Sequence, residues 1–459
     1  MSPTTAPAPG PSAPPPVAAL PEWRPEDPAF WAATGSRVAW RTLTLTTASL
    51  VLSFATWFAM SAVVVRLPHV GFQFDTMQLF WLTAMPGLAA GTLRLVHTFL
   101  IPIFGTRAVV GVATLAKLLP CLGLAWAVSH LDTSFAWFMV LAFLAGMGGG
   151  DFSSFMPSTS LFFPKRLQGA ALGIQAGIGN FGVSVAQFVT PWIIGFAAFG
   201  ALGGDSLRYV KGAAERPMWL QNAFLVYVPL LVALGIACLV GLRRVPVRAS
   251  FREQLDIFKS KHTWFCTITY VMTFGSFSGL AAAFPLLIMK VYGKFPGAPD
   301  PLAWAFYGPL IGSASRVLFG FVADKVGGAI LTQLCGVAMI AIGGGLVFSG
   351  VLAPTSLDSF PLFVGLMLAL FFFAGIGNAA TFRQYPLIFK HNARQGAGVL
   401  GFTGAIAAYG PFLVSTLVGT SITATGTPAA FFLGWMAYCA IGTAINWWCY
   451  ARRGAEVPC

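Results

Sequence analysis

The sequence predicts an all-α polytopic membrane protein with twelve transmembrane helices in two pseudo-symmetric six-helix halves. Three observations predict it: an apolar composition, twelve stretches long enough to cross a bilayer, and an internal repeat about a basic central loop. Of 459 residues, 57% are hydrophobic and only 9% charged, with a mean hydropathy of +0.77. A soluble domain carries about 25% charged residues. A soluble enzyme, a disordered chain and a fibrous repeat are therefore excluded. The 51 glycines suit a bundle in lipid, where small residues let helices approach closely.

Residues 1–41 hold 10 of the 31 prolines and lack the charged start and apolar run of a signal peptide. A disordered cytoplasmic tail is expected there. Apolar stretches of roughly 20 residues follow near 44–65, 77–98, 107–128, 134–163, 168–199 and 220–242. A second set lies near 262–290, 302–323, 329–351, 359–388, 395–422 and 428–450. The expected organisation is thus a tail (1–41), a first half (42–242), a linker (243–262), a second half (263–451) and a short tail (452–459). The linker is too short for a catalytic domain, so any chemistry happens within the membrane.

With both termini inside, 17 of the 27 lysines and arginines fall on the cytoplasmic side, 6 outside and 4 within spans. Such a bias orients a membrane protein. It also accounts for much of the net charge of +13 without nucleic acid. The seven cysteines, at 121, 238, 266, 335, 439, 449 and 459, form no CxxC pair and no cluster with histidine, so neither a disulfide framework nor a metal site is read from them. No nucleophile arrangement or cofactor loop is apparent, so no cofactor and no enzymatic activity are expected.

The second and eighth spans repeat. PGLAAGTLRLVHTFLIPIFGTR and GPLIGSASRVLFGFVADKVGG each place an arginine, Arg94 or Arg316, eleven residues before a glycine, Gly105 or Gly327. More loosely, GMGGGDFSSF recurs as GIGNAATF, and FFPKRLQG as LIFKHNARQG. Parallel six-helix repeats are the architecture of major facilitator transporters. Eleven residues at 1.5 Å each set both arginines about 16 Å deep, near the bilayer midplane. Charge at that depth is costly and marks a functional site by default. Either each arginine is neutralised by a carboxylate or a bound anion balances them. Asp151 alone among the acidic residues lies well inside a span, so a small anion is the natural counter-charge.

Phe152, Asn180, Tyr270 and Phe274 reach the same level, with Tyr270 and Phe274 spaced i,i+4 on one face. Aromatic packing explains each residue singly; their shared depth points to walls around a flat anion gripped by guanidinium forks. Gly173, Gly177, Gly179 and Gly182 crowd one helix and Gly401, Gly404 and Gly410 another, more than helix propensity favours. They serve close packing, or room for one helix to slide on its neighbour.

FFPKRLQGAALG with AGIGNFGVSVAQ resembles the signature of the nitrate/nitrite porters, a family of the major facilitator superfamily. TLRLVHTF, GSASRVLFGFVADKVGG, YVMTFGSFSG and GGGDFSSFM resemble the contexts of that family's two substrate arginines and aromatic walls. The resemblance covers essentially all the chain after the tail. It implies alternating-access transport of nitrate and nitrite, with Arg94 and Arg316 clamping the anion and Phe152, Tyr270 and Phe274 packing about it. Ala407 and Pro411 stand where the second signature is usually glycine, and Asp151 where asparagine is common. Exchange of nitrate for nitrite needs no titrating group; proton-coupled uptake would use Asp151 as the carrier. Lys117, at similar depth, is a candidate partner for Asp151. Arg383 either draws anions inward or bonds backbone carbonyls. A bacterial inner membrane, both termini cytoplasmic and a monomer are the expected setting.

Overall fold

The computed structural model describes residues 22–245 and 255–459. Most of the expected tail and much of the linker, with Arg248 and Arg252, lie outside the described residues. Among the described residues twelve helices are long and apolar enough to span: α1 Pro28–Val63, α2 Thr76–His97, α3 Leu100–Ser129, α4 Phe135–Phe162, α5 Lys165–Ile193 and α6 Asn222–Gly241, then α7 Lys261–Tyr292, α8 Pro301–Val326, α9 Gly328–Phe348, α10 Leu357–Ile388, α11 Gly398–Thr425 and α12 Ala429–Ala451. With every backbone amide otherwise facing hydrocarbon, helix is the form that satisfies its own donors and acceptors.

Three boundaries differ from expectation, each for a local reason. The α1 helix begins at Pro28, capped by the Asp27 carboxylate, which accepts from the amides of Ala29 and Phe30. Residues 28–41 are therefore helix, not disordered tail. Trp23 and Trp31 anchor the start on Phe162 and Phe163 at the end of α4. The α5 helix stops at Ile193, short of 199, and the polar stretch beyond it folds into a hairpin, β1 Leu207–Lys211 against β2 Ala214–Met218. In α3, the apparent early start at Leu100 is interrupted at Gly105, which takes φ 78° and ψ 160°.

That glycine bears on the repeat. Gly327, its counterpart eleven residues after Arg316, adopts φ 98° and ψ 137°. The two halves thus make the same backbone break at the same distance from the same residue type, a conformation that side chains disfavour and glycine permits.

The halves are shut at the hairpin end. Arg66, at the end of α1, grips Asp300, at the start of α8, through Nη2 at 2.8 and 2.6 Å, and Gln187 of α5 donates to the Ala281 carbonyl of α7 at 2.8 Å. Along α5 the contact then opens. A side chain at Gly177 would collide with Val317 of α8 at 2.4 Å, whereas Gly173, one turn earlier on the same face, meets nothing within 4 Å. Gly401 in α11 is likewise open, while Gly404, one turn on, stands beside Arg94. Space beside both helices thus opens on the side of the midplane that carries the chain termini.

Candidate functional site

Each midplane arginine is positioned by glycine-mediated helix contacts. The run Gly148–Gly149–Gly150 in α4 lets it lie directly on α1 and α2; a Cβ at Gly148 would fall 2.1 Å from the Ser53 carbonyl oxygen, and one at Gly149 2.4 Å from Ala90. This proximity brings the Gly149 carbonyl to Arg94, whose Nε donates to it at 2.8 Å. Arg94 Nη1 donates to the Gly404 carbonyl of α11 at 2.6 Å. Its Nη2 is buried with no partner among the described residues. Arg316, on α8, keeps both Nη1 and Nη2 buried with no partner among the described residues besides the nearby Tyr270 hydroxyl. Neither guanidinium forms an ion pair among the described residues.

The aromatic surroundings follow the pseudo-symmetry. The Arg94 guanidinium carbon lies 4.7 Å from the Phe152 ring centroid, and that of Arg316 lies 4.7 Å from Phe382. Phe274 is shared, at 5.4 Å from Arg94 and 6.0 Å from Arg316. Tyr270 stacks nearly parallel on Phe274, with centroids 5.4 Å apart and planes 8° apart, and on Phe382 at 5.2 Å. Its buried hydroxyl faces the Arg316 guanidinium and has no other partner among the described residues. Five of the expected residues therefore converge: Arg94, Arg316, Phe152, Tyr270 and Phe274. Asn180 is buried with both amide atoms unpartnered, one turn beyond Gly177 on the face of α5 that meets α8. Among the described residues no hydrogen bond joins it to the arginines.

Phe382 escaped the sequence reading. The signal was present but loose: GMGGGDF and GIGNAATF end on Phe152 and Phe382, one residue out of register. The two carbonyls that hold Arg94 carry no sequence signal of their own.

Among the glycines, Gly179 and Gly182 serve packing of α5 on α1: a Cβ at Gly182 would lie 2.2 Å from the Val51 carbonyl oxygen. Pro411 fits against α2 because glycine is supplied from the other side. A Cβ at Gly87 would meet Phe412 N at 2.5 Å and Pro411 at 2.8 Å.

Asp151 sits apart from the arginine pair. Its Oδ2 accepts from Lys117 Nζ at 2.5 Å and from Ser53 at 2.6 Å, and Oδ1 lies 3.8 Å from His97 Nδ1. A buried pair in low dielectric holds its charges through such extra donors. Arg383 Nε pairs with Asp324 of the GFVADKVGG loop at 2.7 Å, both side chains partly exposed.

The assembled site has two positive charges, unpartnered N–H donors, a phenolic hydroxyl and flat ring faces. Buried donors without partners are rare and costly. An oxyanion edge-on to the guanidinium forks, with its plane along the rings, satisfies both the donors and the charge.

Residues 45–415 match the family model described as Major Facilitator Superfamily. The "Probable nitrate/nitrite antiporter NarK2" of Thermus thermophilus is 57% identical over 439 residues, covering 95% of this chain and 98% of that protein. The "Nitrate/nitrite transporter NarU" of Escherichia coli K12 is 36% identical over 454 residues, covering 95% and 96%. A bacterial homologue of the lysosomal transporter Spinster, solved in an inward-facing and unoccupied conformation, has the same fold, with a TM-score of 0.61 at 14% identity over 88% of this chain and 94% of that one. The chain is a multi-pass membrane protein that belongs to the nitrate/nitrite porter family of the major facilitator superfamily.

Proposed function

We propose that this protein carries nitrate and nitrite across a bacterial inner membrane, with both termini cytoplasmic, as a monomer that exchanges one anion for the other. The observation that carries this reading is the pair of buried arginines with free N–H groups and no carboxylate between them. Arg94 and Arg316 grip the anion, Tyr270 adds a hydroxyl donor, and Phe152, Phe274 and Phe382 confine it to a plane. Names that specify nitrate and nitrite for relatives 57% and 36% identical support the substrate class.

Exchange follows from charge. With the site empty, closing both ends would confine two like charges in a medium of low dielectric, where Coulomb repulsion is strong. A bound anion lifts that penalty and permits the halves to rock about the midplane site. No proton is needed. Asp151 is already committed to Lys117, which argues against its acting as a proton carrier. Gly173 and Gly401 are the surfaces on which α5 and α11 would meet new neighbours as the inner side closes.

The test is uptake of labelled nitrate into proteoliposomes at clamped potential. Internal nitrite at equal pH should drive uptake, and an acidic exterior without internal anion should not. Uptake driven by the pH gradient alone would establish proton coupling instead. Absence of both, in protein shown to be folded, would overturn the substrate reading.

A further inference from the structure

The hairpin end holds a second concentration of basic residues, away from the midplane. A cavity of about 230 Å³ lies there between the two halves. Arg66 and His69 line it from the segment after α1, Lys211 from β1 of the hairpin, and Lys290 from the end of α7. Arg66 is buried, and Tyr209 of β1 lies against it with its hydroxyl 3.3 Å from Nη1. One edge of the Arg66 guanidinium holds Asp300, while Nε is buried with no partner among the described residues. Lys290 Nζ donates to Thr76 at 2.9 Å, leaving further N–H groups on the ammonium. Burial and the charge of Lys211 hold the His69 imidazole below the usual histidine range, so at neutral pH it is an uncharged donor or acceptor.

The charges do not cancel. Arg66, Lys211 and Lys290 face Asp300 and, more distantly, Asp75 at the start of α2, which leaves a net positive cup. We propose that this cup is an outer anion site. It takes a small oxyanion from the external solution while the gate beneath it is shut, and delivers it when Arg66 parts from Asp300. The chemistry is that of the central site, multiple cationic N–H donors about a small cavity, but without its stacked phenylalanine faces, so the outer site should admit chloride as readily as nitrate. A positively charged cleft concentrates anions and speeds their capture. The identity of the transported anion rests on the function proposed above; the existence of the outer site does not.

Two experiments separate these. The first compares K211Q/K290Q with the unaltered protein in oriented proteoliposomes at low ionic strength. The KM for external nitrate should rise about thirtyfold, since each cation removed at contact distance in water is worth about fivefold. The KM at the inner face and the saturated exchange rate should stay unchanged, and the difference should shrink in salt. Equal changes at both faces, or none, overturn the proposal. The second places a cysteine at Pro68 on the cavity rim and reacts it from outside with an impermeant thiol reagent, in a background carrying R94K and R316K. External nitrate or chloride should slow labelling although the central site is disabled. Labelling indifferent to both anions, in protein that still elutes as a folded species, overturns the outer site. Failure of nitrate exchange in the unaltered protein, with protection retained at Pro68, would instead overturn the function and leave this site standing.

Discussion

Replacing Arg316 by lysine tests the central site with little structural collateral. Both Nη groups of Arg316 are buried and, apart from the neighbouring Tyr270 hydroxyl, have no partner among the described residues, so the substitution removes little hydrogen bonding within the protein. Positive charge is retained. What is lost is the fork: two parallel N–H donors become one compact ammonium that can place a single good bond on the anion. A hydrogen bond to a charged group is worth about 1.5–3 kcal/mol. Loss of one should therefore raise the nitrate KM by about 10- to 150-fold. Stacking on Phe382 at 4.7 Å weakens further. The thermal midpoint of the anion-free protein should move little. Arg94→Lys is the contrast, because Arg94 also holds the Gly149 and Gly404 carbonyls, and it should lose both transport and thermal stability. The assay is nitrate/nitrite counterflow in proteoliposomes beside thermal unfolding in detergent without nitrate. A KM within threefold for Arg316→Lys would refute the reasoning, as would a stability loss equal to that of Arg94→Lys.

Other outcomes follow from the same geometry. Phe382→Ala removes the ring over Arg316 and should weaken nitrate affinity about tenfold, from a desolvated cation–π contact of about 1–2 kcal/mol; competition binding measures it. Asp151→Asn leaves the Lys117 ammonium buried without its counter-charge and should cost about 3–5 kcal/mol of stability, with recovery in D151N/K117M; thermal unfolding decides it, and an unchanged midpoint contradicts the pairing. Gly182→Ala forces a Cβ to within 2.2 Å of the Val51 carbonyl and should destabilise the first half by about 1–3 kcal/mol. Gly173→Leu meets open space here, so the fold should survive while exchange slows at least tenfold. Normal exchange by that variant would show that α5 does not close through this face.

What the sequence made legible was what the membrane makes expensive. Arg94, Arg316 and Lys117 stand out because a charge at midplane must be explained, and the acidic inventory leaves Lys117 a single partner, Asp151. The repeat of arginine and glycine in the second and eighth spans survives as two matching backbone breaks. Phe382 was hidden among 42 phenylalanines, for an apolar residue in an apolar helix advertises nothing; only its loose equivalence to Phe152 singles it out. The hold on Arg94 was hidden because it uses carbonyl oxygens, which every residue has. The early start of α1 was missed because its first turns sit at the surface, where tryptophans rather than hydropathy fix them. The outer cup drew no notice because lysines and an arginine in connecting segments look like ordinary solvent-facing charge until two halves fold around them.

The bond from Arg94 to the Gly404 carbonyl joins one half of the molecule to the other at mid-depth. A rotation of about 15° between rigid bodies sweeps a rim about 15 Å from the axis through roughly 4 Å, which parts or joins a gate. A point about 2 Å from that axis moves by only about 0.5 Å, a distance that a hydrogen bond can follow without breaking. With the axis running close to Arg94, this side chain would act as the fulcrum of a seesaw, with its third nitrogen kept for cargo. The pivot and the sensor would then be one side chain.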